Sequence, residues 1–292
     1  MRLAAIDIGS NAARLLITEV TTDENKKPVF NKLNLFRVPL RLGFEVFETG
    51  IISKPKIGMF LQTMKAFKHL INAYEVKNIK ACATSAMRDA KNAEDIIRKI
   101  KLETDIKIEV ITGDMEAGLV FESHIAETLD KDHSYMYIDV GGGSTELSFF
   151  SNGVLTFKES INIGTIRLLQ GMVLDKTWEV MKEIIKTVTK DQKEVMAIGS
   201  GGNINKIFSM SKRKDGKPIP YEVLRDYYNE LSHVTLENRM KIYDLKADRA
   251  DVIVPALQIY TNAMRWAGAK EIYVPKIGLV DGLIQHLWEE LK

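Results

Sequence analysis

Ala5-Ile6-Asp7-Ile8-Gly9-Ser10-Asn11, near the start of the chain, and Tyr137-Ile138-Asp139-Val140-Gly141-Gly142-Gly143-Ser144, near its middle, carry one pattern twice. Each is an apolar strand that ends in Asp-x-Gly, runs into a small polar turn and leaves on a second strand. A short apolar run bounded by glycine reads as a buried strand, and glycine permits the tight turn behind it. Working outward from the first copy, strands are expected at 3–7, 14–20 and 29–36. A helix at 54–74 follows from Ile57, Phe60, Leu61, Met64, Phe67 and Leu70 at helical spacing. Then come a strand at 79–83, a helix at 87–101, a strand at 107–112 and a helix at 114–128. The second copy restarts the series with strands at 134–140, 145–150 and 153–159, helices at 164–171 and 176–189, a strand at 194–199 and a helix at 202–211. The last third reads as mostly helical, ending on a strand at 271–274 and a helix at 279–291. Two copies of one β-β-β-α-β-α unit predict two like α/β domains facing each other across a cleft, a favoured place for ligands.

A length of 292 residues suits two domains. The expected division is 1–125, to which the final helix at 279–292 can return, and 126–292. Apolar residues make up 45% and charged residues 27%, an ordinary soluble globular composition. The net charge of +2 gives no overall field for a polyanion, so local basic groups must meet one and a nucleic acid polymer is not expected. No apolar run approaches the roughly 18 residues that span a bilayer, and Asp7 interrupts the first apolar stretch. No membrane segment or leader is expected, and the cytoplasm is the default compartment. The single Cys82 excludes an intramolecular disulfide. The five histidines, at 69, 124, 133, 233 and 286, lack zinc-ligand spacing.

The two turns carry the chemistry. Consecutive turn amides can form an anion-binding nest, and Ser10, Asn11, Ser144 and Thr145 add side-chain donors. Either turn alone reads equally as a tight hairpin; the matched pair, each behind an aspartate, favours function. An aspartate beside a phosphate nest is a poor phosphate ligand by charge. Asp7 and Asp139 make sense if a magnesium ion is shared with phosphate oxygens, the alternative being aspartates that cap their own turns. Gly199-Ser200-Gly201-Gly202-Asn203 follows a strand and opens a helix, where free amides attract phosphate; close helix-on-strand packing explains it as well. Glu116 lies just inside the helix behind Thr112-Gly113. It has the chemistry of a general base, but from its position alone it reads as a complement to the helix dipole. Glu146 is a second carboxylate close to the nest. Arg14, Arg41, Arg88, Arg167 and Arg249 sit near turns or element ends and suit bidentate phosphate binding, though most surface arginines are only solvated. Lys212-Arg213-Lys214 with Lys217 reads as a solvated loop. Cys82 and Arg88 have the spacing of a cysteine-phosphatase loop, but Ala83-Thr84-Ser85-Ala86-Met87 contains no glycine and Asp89 would repel phosphate. Cys82 therefore reads as a packed strand residue.

Taken together, AIDIGSNAARLLI (5–17), VPLRLG (38–43), ATSAMRDAKNA (83–93), EVITGDMEAGLVF (109–121), YIDVGGGSTELSFF (137–150), INIGTIRL (161–168), AIGSGGNI (197–204) and RADVIVPAL (249–257) resemble the exopolyphosphatase/guanosine pentaphosphate phosphohydrolase family of the actin/Hsp70/sugar-kinase superfamily. The segments run in the family's order over nearly the whole chain. The resemblance implies two RNase H-like (actin-like ATPase) domains with the active site in the interdomain cleft. It implies Glu116 as the catalytic base in Gly-x-x-Glu-Ala, with Glu146 as a further acid of the site. It implies Asp139 on Mg2+ or another divalent cation, and the repeated motif adds Asp7 as a second candidate ligand. Ser10, Asn11, Arg88, Gly141, Gly142, Gly143 and Ser144 are the implied substrate-binding residues, to which the reading of the residues themselves adds Arg14 and Gly201. The implied substrates are inorganic polyphosphate or guanosine pentaphosphate, and a homodimer is compatible with the family. An ATP-dependent kinase of the same superfamily and a non-catalytic sensor of phosphorylated ligands are the rival readings.

Three departures bear on these expectations. Met115-Glu116 stands where many relatives have paired glutamates, with the second retained. Gly278-Leu279-Val280-Asp281-Gly282 replaces a frequent Gly-Leu-Arg-Glu-Gly and lacks its basic group. The chain also has the length of a short form, without the extra C-terminal helical domain, so short polyphosphates or a nucleotide are the expected substrates.

Overall fold

The computed structural model describes residues 1–122, 133–192 and 194–292. His124 and the end of the helix expected at 114–128 lie outside the described residues. The chain divides into two compact units, Met1–Ser123 with Leu279–Lys292, and His124–Gly278. No helix among the described residues is long and apolar enough to cross a membrane.

In the first unit, β1 (Arg2–Ile8) is buried along both faces, as its unbroken apolar run requires. It pairs antiparallel with β2 (Ala13–Thr22), which pairs antiparallel with β3 (Pro28–Val38). On its other side β1 pairs parallel with β4 (Asn78–Ala83), and β4 with β5 (Ile108–Val110). The order β3-β2-β1-β4-β5 is that of an RNase H-like sheet. One face, with Ala4, Ile6, Ile8, Leu15 and Ile17, packs on α2 (Lys54–Ala73) and α4 (Ala93–Thr104) through Phe60, Met64, Phe67, Ile96 and Ile100. The final helix, α13 in the numbering used here (Leu279–Glu290), returns to this unit and lies against β1, β2 and β4. Its Val280, Leu283, Ile284 and Leu287 form a buried stripe at helical spacing, each worth roughly 1.5–3 kcal/mol on burial. Lys32–Asp281 and Lys80–Glu290 ion pairs, each 2.6 Å, fasten its two ends.

Two helices here depart from expectation. A short α1 (Gly43–Thr49) was not foreseen; it ends at Gly50, whose left-handed φ of 75° closes the helix onto the Val46 carbonyl. The helix expected at 87–101 is two, α3 (Ser85–Asp89) and α4. Between them the Lys91 amide donates to the Gly50 carbonyl, and the Asn92 side chain accepts from the Ile52 amide and donates to its carbonyl. These tertiary bonds to the segment after α1 displace the helical ladder that local propensity favours. The helix after β5, α5 (Gly113–Glu122), begins behind Thr112, whose Oγ1 accepts from the Met115 amide as an N-cap.

The second unit repeats the plan. β6 (Ser134–Val140), β7 (Thr145–Ser151) and β8 (Val154–Ile161) are antiparallel, and β9 (Val195–Ser200) runs parallel to β6. The sheet order is β10-β11-β9-β6-β7-β8, with β10 (Ile219–Pro220) added antiparallel at the edge of β11 (Glu271–Tyr273). Counted from each Asp-x-Gly strand, β8-β7-β6-β9-β11 therefore corresponds to β3-β2-β1-β4-β5. Among the described residues its helices are α6 (Thr165–Leu169), α7 (Asp175–Thr189), α8 (Gly202–Met210), α9 (Tyr221–Ser232), α10 (Leu236–Tyr243), α11 (Ala247–Ala250) and α12 (Ile253–Ala267). The core centres on α12, which buries ten residues including Tyr260.

Candidate active site

The two Asp-x-Gly turns are built alike. In the first unit the Gly9 amide donates to the Ala12 carbonyl (3.1 Å); in the second, the Gly141 amide donates to the Ser144 carbonyl (2.9 Å). Both turns are gripped from behind. The amides of Thr165 and Ile166 and the Nε of Arg167 donate to the carbonyls of Gly141, Gly142 and Gly143, at 3.0, 2.8 and 2.8 Å. The amides of Arg41 and Gly43 donate to the carbonyls of Asn11 and Ser10, both at 2.9 Å. A trans peptide points its N–H opposite to its carbonyl. Drawing the carbonyls back therefore turns the amides of Gly142, Gly143 and Ser144, and those of Asn11 and Ala12, the other way. That is the arrangement of an anion nest. Gly164 is part of this grip: a Cβ there would stand 2.4 Å from the Gly142 oxygen and 2.5 Å from the Gly143 carbonyl carbon.

The aspartates are equivalent in register and differ in company. Asp7 faces Arg14 across β1–β2 and Cys82 across β1–β4. Asp139 faces Glu146 across β6–β7 and Ser200 across β6–β9. Asp7 is 3% exposed, and Arg14 donates to its Oδ2 at 2.7 Å. Burial raises the Asp7 carboxyl above the ordinary range, with Arg14 opposing that rise. In the second unit the same two positions hold two carboxylates on one face of the sheet. Glu146 is 2% exposed, and its Oε1 accepts from Ser144 (2.6 Å) and Ser160 (2.9 Å). Asp139 Oδ1 lies 3.3 Å from where a Cβ on Gly201 would stand, so glycine keeps room beside the carboxylate. A pair of oxygen-donor acids with space beside them suits a hard divalent cation, which takes one or two carboxylates and completes its shell with water and phosphate. No cluster of three or more His, Cys, Asp or Glu ligands occurs among the described residues, and such a site does not require one. Asp7 fits a cation less well, because Arg14 already matches its charge.

Glu116 sits on the first turn of α5, its side chain 13% exposed. Arg88, on α3, donates to Glu116 Oε2 at 3.1 Å and to the Ile111 carbonyl at 2.8 Å. One guanidinium thus joins the end of β5 to this carboxylate. Ser10 and Ser85 share a 2.8 Å hydroxyl hydrogen bond that ties the first turn to α3. Arg41 takes a left-handed φ of 55° and stacks its guanidinium 3.9 Å over the Phe44 ring, and Arg249 lies on α11. Within the first unit, therefore, Asp7 is brought to Arg14, Glu116 to Arg88, and Ser10 to α3; within the second, the glycine turn, Asp139, Glu146 and Gly201 come together. Ser160 and Gly164 were not singled out from sequence. The hairpin register that sets Ser160 opposite Glu146 was the available signal.

Residues 21–290 match the Ppx/GppA phosphatase family. The chain belongs to that family. It is accordingly an enzyme of the hydrolase class. The Ppx/GppA chain is 30% identical over 249 residues to the bifunctional 3-dehydroquinate synthase/phosphatase of Fusobacterium nucleatum, covering 82% of itself and 35% of that protein. It is 23% identical to exopolyphosphatase 1 of Mycobacterium bovis, covering 97% of itself and 87% of that protein. The crystal structure of the Aquifex aeolicus Ppx/GppA family member superposes with a TM-score of 0.77 at 26% identity, over 100% of this chain and 99% of that one. These likenesses bear out the two-domain actin-like fold that the family resemblance implies.

Proposed function

We propose that this Ppx/GppA chain is a cytoplasmic exopolyphosphatase that releases terminal phosphate from inorganic polyphosphate, with guanosine pentaphosphate as the competing substrate. The observation that carries the reading is the Gly141–Ser144 turn, whose three consecutive glycine carbonyls are drawn back beside two carboxylates. The relative named exopolyphosphatase supports the polymer as substrate. Amides of Gly142, Gly143, Ser144 and Asn11 bind phosphate oxygens, joined by the Ser10 hydroxyl. Asp139 and Glu146 would hold a magnesium ion, and Ser144 and Ser160 fix the Glu146 carboxylate toward it. Bound there, magnesium supplies charge neutralisation to the transferred phosphoryl group. Glu116, oriented by Arg88, accepts a proton from the attacking water. The water oxygen bonds to the terminal phosphorus, the bridging P–O bond breaks, and orthophosphate leaves a chain one unit shorter.

Glu116→Gln keeps the shape and the Arg88 hydrogen bond while removing the base. Phosphate release should fall by about 10²–10⁴-fold, with polyphosphate affinity nearly unchanged by equilibrium dialysis. Full activity in this variant would remove Glu116 from the mechanism. The assay runs short polyphosphate, long polyphosphate and guanosine pentaphosphate side by side, with and without magnesium. Faster release from the pentaphosphate would assign the nucleotide instead.

A further inference from the structure

One buried hydroxyl beside the acidic pair has no part in that scheme. Tyr260, on α12, is 1% exposed, and its hydroxyl donates to the Ser200 carbonyl. Ser200 is the register partner of Asp139 across β6–β9. Its successor Gly201 has a left-handed φ of 114°. The point where a Gly201 Cβ would stand is 3.3 Å from Asp139 Oδ1, 3.2 Å from the Val140 carbonyl oxygen and 3.6 Å from the Tyr260 hydroxyl oxygen. The carboxylate, the Val140 carbonyl and the phenol thus converge on the spot a Cβ would take, and the left-handed φ independently favours glycine there.

We propose that Tyr260 is a positioning residue that sets how tightly Asp139 and Glu146 hold their divalent cation; this rests on the cation-binding role proposed for that pair. The Ser200 carbonyl is an electron-rich oxygen next to a carboxylate. Tyr260 binds it and holds it in one direction, which also fixes the Gly201 amide across the trans peptide. Without the hydroxyl, the carbonyl loses its buried partner, the peptide is free to rotate, and the wall against which Asp139 rests is no longer fixed. Groups that orient metal ligands in this way commonly change affinity by about 10–100-fold when removed.

Tyr260→Phe fills the same volume and deletes one oxygen. The full chain would be titrated with Mn2+ and the bound ion followed by electron paramagnetic resonance, alongside Asp139→Asn. The expected result is Mn2+ affinity about tenfold weaker in Tyr260→Phe, with the magnesium needed for half-maximal phosphate release raised in proportion and kcat at saturating magnesium little changed. Thermal melting checks that the variant is folded. Wild-type Mn2+ affinity in Tyr260→Phe, with affinity lost in Asp139→Asn, overturns the role of Tyr260 alone. Wild-type affinity in both overturns the cation site itself. A Tyr260→Phe chain that does not fold makes the hydroxyl structural and also overturns the proposal.

Discussion

Cys82 stands on β4 opposite Asp7, 1% exposed, among Asp7, Glu109 and Glu116. Burial, reinforced by those carboxylates and partly opposed by Lys80, pushes its thiol from 9.0 up to about 12. A thiol so protonated is no nucleophile at neutral pH, which excludes the cysteine-phosphatase chemistry that its spacing from Arg88 suggests. The same shift has a consequence for stability. Between pH 9.0 and about 12 the unfolded thiol loses its proton while the folded one keeps it, so folding stability falls as pH rises through that window. Cys82→Ala should remove this component, making the alkaline decline shallower by roughly 1.4 kcal/mol per pH unit. Urea melts at pH 8, 9.5 and 11 read it directly, and phosphate release at pH 7.5 should match wild type. A loss of activity on alanine substitution would restore the thiol to the chemistry. Sequence made the exclusion legible because the intervening residues lack glycine. It could not supply the cause, since the carboxylates around Cys82 come from three different elements.

Gly164 precedes α6 and looks like an ordinary helix-start glycine in sequence. In the structure it is the residue over which the Gly141–Ser144 turn lies, with backbone atoms 2.4–2.5 Å from its missing Cβ. Backbone cannot yield as a flexible side chain does, so Gly164→Ala should destabilise by about 3 kcal/mol, the upper end for overpacking. It should also raise the KM for polyphosphate, because the amides move with the displaced turn. Gly58, in the second turn of α2 with nothing within 4 Å of its Cβ position, is the control. Gly58→Ala should stabilise by about 0.5–1 kcal/mol. Paired urea midpoints settle both, and equal effects at the two glycines would refute the packing account. This contrast also marks what could be read at this scale. Strands with unbroken apolar runs, such as β1 and β6, were legible within a residue or two, and α2 from its periodicity. The break between α3 and α4 was not, because Asn92 and Lys91 satisfy partners some forty residues back, at Ile52 and Gly50. A local pattern carries no trace of such partners.

Across the whole chain, one sheet plan occurs twice, and the two copies diverge at the position that faces each aspartate across its hairpin. Asp7 and Asp139 occupy the same register, but the cross-strand neighbour is Arg14 in one copy and Glu146 in the other. Arg14 brings a fixed positive charge beside Asp7, whereas Glu146 brings a second carboxylate beside Asp139. Sequence displayed the repeated aspartates and so suggested that both bind metal; their strand register distinguishes them, and that becomes visible only once β2 and β7 are paired. It follows that Arg14→Glu should give the first unit the paired carboxylates that the second has, and with them the proposed cation site. In an Asp139→Asn background, which silences the native pair, the Arg14→Glu chain should melt well below its Arg14 parent in chelator. It should recover as Mg2+ is added, by about 2.7 kcal/mol once the ion reaches a hundred times its dissociation constant. The Arg14 parent in the same background should show no such dependence. Differential scanning calorimetry over a magnesium series separates the cases. An Arg14→Glu chain whose melting ignores magnesium would mean that the two aspartates, though matched in register, are not matched in what surrounds them.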